Sequence, residues 1–185
     1  MQITPTAIAD VLVVEPKVFG DDRGFFYESF NQREWLTKTG LETVFVQHNH
    51  SRSLRNVLRG LHYQIRRPQG KLVRVVVGEI FDVAVDLRKK SATFGKWVGK
   101  YLSAKNRKSI WVPEGFGHGF VVLSDVAEVL YSATDYYAPE HERCIIWNDD
   151  TINIDWPLDG APMLSEKDAK GALFKDAEIY KDMLK

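Results

Sequence analysis

The sequence has one cysteine, Cys144, among 185 residues. No disulfide can close within the chain, so a packed core has to hold the fold. That also fits a reducing compartment. Excess charge is lacking too: 25 Lys and Arg balance 25 Asp and Glu, which argues against a general nucleic-acid binder. No apolar run approaches the ~20 residues of a membrane span. The first residues lack the basic start and apolar stretch of a secretory signal. The expectation is a cytoplasmic protein. No repeat, low-complexity tract or linker divides the chain. With 44% hydrophobic and 27% charged residues, a chain of this length is expected to fold as one domain, 1–185.

What is present is mostly short strands. Leu72 to Val77 is β-branched and ends at Gly78. Ile80 to Leu87 alternates, with Phe81, Val83, Val85 and Leu87 on one face and Asp82, Ala84 and Asp86 on the other. Trp97–Leu102, Ser109–Val112, Gly119–Leu123, Ala127–Tyr137 and Arg143–Trp147 continue the series. Such close, even spacing predicts an all-β sandwich or barrel. Ile8 to Val14 reads as a further strand that could pair with another subunit. Two peripheral helices are expected. Asn31 caps the first, with Glu34 three residues on and Gly40 ending it. The second follows Ser165, where Leu173, Ala177, Tyr180 and Leu184 recur at helical spacing over about 165–185.

Charge is balanced overall but not locally. From Arg52 to Arg74 there are seven Lys or Arg residues and no Asp or Glu. Inside this run, Arg59-Gly60-Leu61-His62-Tyr63-Gln64 sets an imidazole three residues from a guanidinium. A base beside cations suits a site that holds an anion and moves a proton on it. His62 equally fits a hydrogen-bonded structural histidine. Arg59 offers phosphate a planar fork and Lys71 a point charge. Lys71 suits a developing enolate oxygen, or a solvated strand end. In a regular strand Arg59 and His62 face opposite sides. A shared pocket requires a bend, and Gly60 is the place for it.

Other residues carry two readings each. Tyr131 is a proton donor facing a base, or a core tyrosine with its hydroxyl at the rim. Of Tyr136 and Tyr137, the inward one could stack on a flat base. In Gln47-His48-Asn49-His50, either the two histidines or Gln47 and Asn49 point inward. The first arrangement suits a metal, although no third ligand completes the spacing. The second suits a sugar or a base. His118 sits in a glycine-rich stretch read as a turn open to a ligand. Asp168 in Ser165-Glu166-Lys167-Asp168 finishes a capping box, or orients an imidazole.

Taken together, the chain resembles the dTDP-4-dehydrorhamnose 3,5-epimerases. The matching pieces are Asp21-Asp22-Arg23-Gly24-Phe25-Phe26, Arg59-Gly60-Leu61-His62-Tyr63-Gln64, Gln69-Gly70-Lys71-Leu72-Val73-Arg74 and Asp82 to Arg88. Pro113 to Phe120, Trp147-Asn148-Asp149 and Leu164 to Asp168 follow in family order. The resemblance implies a cupin-type jelly roll and an isomerase of dTDP-L-rhamnose synthesis. Its substrate would be dTDP-4-dehydro-6-deoxy-D-glucose, epimerised at C3 and C5, with no cofactor, no metal, no membrane and a homodimeric assembly. His62 would be the base, Asp168 its partner, Tyr131 the proton donor and Lys71 the enolate stabiliser. Arg23, Glu28, Gln47, Asn49, Arg59, His118, Glu142 and Lys167 fall where the family contacts substrate, and Tyr137 where it stacks on thymine. Gly117, Ala92 and Ser132 depart from common family residues at non-catalytic positions. Three other readings stay open: an epimerase at one carbon only, a metal-dependent cupin oxygenase using His48 and His50, and a sugar-nucleotide binding module without catalysis.

Overall fold

The computed structural model describes residues 1–183. Two antiparallel sheets face each other. The six-stranded sheet runs β1 (Gln2–Pro5), β2 (Leu12–Glu15), β10 (Ser109–Val112), β7 (Lys71–Val77), β12 (Val126–Ala133) and β5 (Gln47–Leu54). The five-stranded sheet runs β13 (Glu142–Cys144), β6 (Leu58–Gln64), β11 (Phe116–Val122), β8 (Glu79–Asp86) and β9 (Trp97–Ser103). A hairpin of β3 (Phe19–Asp21) and β4 (Gly24–Phe26) stands apart from both. This is the jelly-roll sandwich that the strand spacing and the resemblance anticipate.

Alternation decides which residues fill the sandwich. Val73 and Val75 from β7, Ala127 and Val129 from β12, and Ile80 and Ala84 from β8 meet in one buried cluster with Phe116 and Phe120. Phe81, Val83, Val85 and Leu87 point the other way, into a second cluster on the outer face of the five-stranded sheet. A third cluster covers the outer face of the six-stranded sheet. Helix α1 (Gln32–Thr39) lays fully buried Trp35 against Trp111, Leu72 and Val14 there. The Asn31 side chain accepts from the Glu34 amide, and Gly40 closes the helix in a left-handed conformation, as the capping pattern predicts.

Three expectations need correction. The second helix is one turn only, α2 (Glu166–Ala169), with a 3₁₀ turn at Phe174–Asp176. Gly171 presses so close to Ile146 that a Cβ there would lie 2.6 Å from its amide nitrogen. Beyond α2 the chain runs extended along the five-stranded sheet. Ala172 bonds with Cys144 and Ile146, and Tyr180 with Leu87 and Lys89. Backbone pairing thus overrides the helical spacing of Leu173, Ala177 and Tyr180; Leu184 lies outside the described residues. The N-terminal strand is shorter than expected, with β2 confined to Leu12–Glu15 and lying between β1 and β10. Finally, His118 lies within strand β11, not in a turn. Its glycine neighbours serve packing: a Cβ on Gly119 would lie 2.7 Å from the Arg59 carbonyl oxygen.

No helix among the described residues is long and apolar enough to cross a membrane.

Candidate active site

At one end of the sandwich the inward residues turn from apolar to polar. On the six-stranded sheet, Asn49 is registered opposite Tyr131, and Gln47 opposite Ala133. Ala133 in turn faces Lys71. Residues opposite one another share a face, so Gln47, Asn49, Tyr131 and Lys71 form one inward patch. The β5 burial pattern agrees: Gln47 and Asn49 are half-buried, while His48 and His50 are exposed. His48 bonds Ser132 Oγ at 2.8 Å and His50 bonds Glu128 at 2.9 Å on the outer face. The histidine pair therefore turns away from the pocket.

On the five-stranded sheet, His62 is registered opposite His118 on one side and Cys144 on the other. The bend demanded at Gly60 is present. His118 pairs with His62, but Phe120 pairs with Arg59. Two residues of β11 thus span three of β6, which defines a bulge. Gly60 has φ +117°, and a Cβ there would lie 2.6 Å from Gly119 Cα. The Gly60–Leu61 peptide is cis. The extra residue restores phase, so Arg59 and His62 both point inward. Arg59 Nε crosses to the other sheet and donates to Ser53 Oγ at 3.0 Å.

Each histidine has its own carboxylate. His62 Nε2 lies 2.5 Å from Asp168 Oδ1, which also accepts from the Gly60 amide at 3.2 Å. Asp168 Oδ2 accepts from the Ser165 hydroxyl at 2.6 Å, while Ser165 Oγ caps the Asp168 amide. Both readings of Asp168 hold together: it completes the cap and touches the imidazole. Burial alone would raise its pKa, but the hydrogen bonds from His62 and Ser165 win, and it falls to about 2. It is therefore a carboxylate at neutral pH. His118 Nε2 contacts both oxygens of Asp82 at 3.0 and 2.9 Å. Sequence reasoning passed over Asp82. Its signal was an acid on the core face of an apolar strand.

The cations differ in environment. Lys71 makes no ion pair among the described residues. Burial pushes its pKa down to about 8, with Glu142 and Asp82 pulling back upward. Lys167 donates to Glu142 Oε1 at 2.8 Å, and Tyr137 donates to Glu142 Oε2 at 2.9 Å. Burial would raise the Glu142 pKa, but those two bonds hold it low. The Tyr131 hydroxyl is pushed up by burial, with Arg59 opposing. Cys144, half-buried beside Asp168, is pushed up to about 12 by burial and stays a thiol. Tyr137 is 51% exposed, and its amide donates to Gln47 Oε1 at 2.9 Å. That leaves a ring face at the pocket mouth.

Two expected site residues stand elsewhere. Arg23 lies on the β3–β4 hairpin, 89% exposed, with a two-nitrogen grip on Asp21. Glu28 accepts from Asn31 Nδ2 at 3.1 Å. Tyr27, just after the hairpin, takes a hydrogen bond from Arg74 at 3.4 Å. Arg74 is on the outer face of the six-stranded sheet, whereas the pocket opens on the inner face. In this chain alone Arg23 and Glu28 do not join His62.

A family model described as dTDP-4-dehydrorhamnose 3,5-epimerase matches residues 5–176. The chain is 63% identical over 180 residues to the dTDP-4-dehydrorhamnose 3,5-epimerase of Pseudomonas aeruginosa, covering 97% of this chain and 99% of that one. It is 58% identical over 178 residues to the Salmonella typhimurium enzyme of the same name, covering 96% and 97%. The crystal structure of a dTDP-6-deoxy-D-glucose-3,5-epimerase from Legionella pneumophila, in complex with dTDP-4-keto-L-rhamnose, superposes with TM-score 0.96. Its identity is 48%, with 99% of each chain covered.

Proposed function

Because this chain belongs to the dTDP-4-dehydrorhamnose 3,5-epimerase family, we propose that His62 and Tyr131 are the base and acid of a cofactor-independent epimerisation. The substrate is dTDP-4-dehydro-6-deoxy-D-glucose, and the product is dTDP-4-dehydro-L-rhamnose. The reading rests on one arrangement: a histidine with a buried carboxylate on one sheet faces a tyrosine on the other, with a lysine beside the tyrosine.

The 4-ketone acidifies the hydrogens at C3 and C5. With Nε2 held by Asp168, Nδ1 of His62 is the nitrogen left to take a proton. The Asp168 carboxylate stabilises the imidazolium that results. Lys71 stabilises the enolate oxygen, since a cation in a water-poor site acts strongly on charge that develops there. Tyr131 approaches from the opposite sheet and returns a proton to the opposite face of the ring, at least at C5. Inversion at carbon needs that two-sided geometry. Arg59 holds the pyrophosphate. Gln47, Asn49, His118, Glu142 and Lys167 line the sugar and nucleotide path, and Tyr137 stacks on thymine. The ketone belongs to the substrate, so the chemistry requires no redox cofactor.

The working unit is a homodimer in the cytoplasm. The hairpin carries Phe19, Phe25 and Phe26, exposed by 53, 60 and 67%, a patch that calls for a cover. A second copy whose hairpin reaches this pocket would bring Arg23 and Glu28 to the substrate. β1, the outer strand of its sheet, is the edge along which strands could exchange.

The test is proton exchange in deuterium oxide. Wild type should place deuterium at both C3 and C5, and His62→Ala should place none. Label at one carbon only would make it a single-site epimerase. Normal exchange by His62→Ala would remove the assigned base.

A further inference from the structure

Cys144 takes no part in the proposed reaction, yet it lies against the base. It is registered directly opposite His62 on the neighbouring strand, so both side chains share a face. Its Sγ is 4.0 Å from Asp168 Oδ1, the oxygen that touches His62 Nε2 at 2.5 Å. One ligating atom from each of His62, Cys144 and Asp168 lies within 4.8 Å of the other two. Imidazole nitrogen, sulfur and carboxylate oxygen are the donor types that zinc takes. The geometry points to an inhibitory site for a thiophilic divalent cation, zinc or cadmium, built from His62, Cys144 and Asp168.

The fit requires small movements. Donors around a tetrahedral zinc stand roughly 3.3–3.5 Å apart, given bonds of about 2.0 Å to nitrogen and oxygen and about 2.3 Å to sulfur. The His62–Asp168 contact must open by roughly 0.8 Å, and the Cys144–Asp168 contact must close by roughly 0.5 Å. Side-chain rotation supplies changes of that size. Water fills the fourth position. The protein donors come from two adjacent strands and one helical turn, so no large rearrangement is needed.

The proton balance explains the inhibition. The metal takes Nε2, and the proton there passes to Nδ1. The Cys144 thiol loses its proton to solvent as the metal–sulfur bond forms. One proton leaves in total, and a dication meets a thiolate, a carboxylate and a neutral imidazole. The site is then neutral, which suits its partial burial. A metallated imidazole carries its remaining proton on Nδ1. That is the nitrogen which has to accept the substrate proton, so the metal disables the base. This last step rests on His62 being that base; the binding step does not. The cation is an antagonist of turnover, not a requirement for it.

Cadmium alone is titrated into the full chain while the ultraviolet thiolate-to-cadmium absorption is followed. Cys144 is the sole cysteine, so any such band reports this site. Wild type should give the band at one equivalent per chain. His62→Gln should weaken binding by more than about tenfold, since even outer partners of a metal site cost 10–100-fold. In a second arm, zinc inhibits solvent exchange by wild type. Cys144→Ala should keep its metal-free turnover and tolerate at least about tenfold more zinc. Two results would overturn the site: cadmium affinity unchanged by His62→Gln, or equal zinc sensitivity of wild type and Cys144→Ala. If His62→Ala kept normal exchange, the base assignment would fall, while the cadmium titration would still decide whether the metal site exists.

Discussion

His62 Nε2 and Asp168 Oδ1 lie 2.5 Å apart across 106 residues of sequence, and the aspartate is only 3% exposed. The carboxylate fixes the orientation of the ring. Asp168→Asn keeps the size and the Ser165 cap contact but loses the charge. Turnover should fall on the order of 10²- to 10⁴-fold, as when a positioned acid–base group is lost. The measurement is exchange at C3 and C5 under saturating substrate. A fall below threefold would mean that Asp168 is only a helix cap.

The same pair makes an acid-stability prediction. The Asp168 pKa is depressed from 3.8 to about 2. Its contribution to folding is present above about pH 4 and is lost as pH falls through about 2. The shift corresponds to about 2 kcal/mol. Urea unfolding at pH 7 should show Asp168→Asn less stable by about that amount. The gap between the two proteins should narrow as pH falls from 4 toward 2.

Lys71 pulls function and stability in opposite directions. Burial depresses its pKa from 10.5 to about 8. Between those values the folded state holds fewer protons than the unfolded chain, so stability rises with pH. Below pH 8 the lysine is charged and destabilising. Lys71→Met should therefore be more stable at pH 7, by about 1–3 kcal/mol. It should also lose on the order of 10²–10³ in turnover. In wild type, kcat/KM should decline above about pH 8 as the ammonium is lost, and Lys71→Arg should move that decline upward. A Lys71→Met protein that is both less stable and active would contradict the enolate role.

Much of this was legible in the chain. The alternation of Ile80 to Leu87 set Asp82 on the face opposite Phe81, Val83 and Val85, because a strand has only two faces, but alternation alone does not say which face turns inward. The clash of phase between Arg59 and His62 located the bulge at Gly60. Local chemistry was enough for α1, whose cap residues all occur within ten positions. The C-terminal segment was not legible. Its helical spacing is real, but pairing with Cys144 and Leu87 depends on strands far away in sequence. The Asp168–His62 contact was out of reach for the same reason, and only resemblance supplied it. The position of Arg23 was equally hidden, since sequence does not say on which side of a sheet a hairpin folds back.

Gly60 is where backbone and chemistry meet. Any side chain there would strain a φ of +117° and drive a Cβ to 2.6 Å from the Gly119 backbone. Neither strand can retreat, because each is paired on both sides. Gly60→Ala should cost about 3 kcal/mol or more. It should also disturb Arg59 and His62 together, raising KM and lowering kcat. Gly20→Ala is the control, since a Cβ there meets nothing closer than 3.5 Å. Thermal unfolding and initial rates on both variants check the contrast. A Gly60→Ala protein with normal stability would mean that the bulge is not fixed by this close approach.

Arg23 gives the sharpest test of the assembly. Its guanidinium is 89% exposed on the β3–β4 hairpin and, among the described residues, is held only by Asp21, while His62 points into the inner face of the sandwich. If a second copy supplies Arg23, then Arg23→Ala and His62→Ala damage different halves of one shared site. Each variant alone should be weak or dead. Mixed, unfolded and refolded together in equal amounts, half of the dimers become heterodimers, and each of these holds one intact site. Activity should recover to about a quarter of wild type, from the statistics of a two-fold assembly. Recovery should need exchange of subunits, so mixing without unfolding should restore less. No recovery from a fully exchanged mixture would leave Arg23 outside the site and confine substrate binding to a single chain.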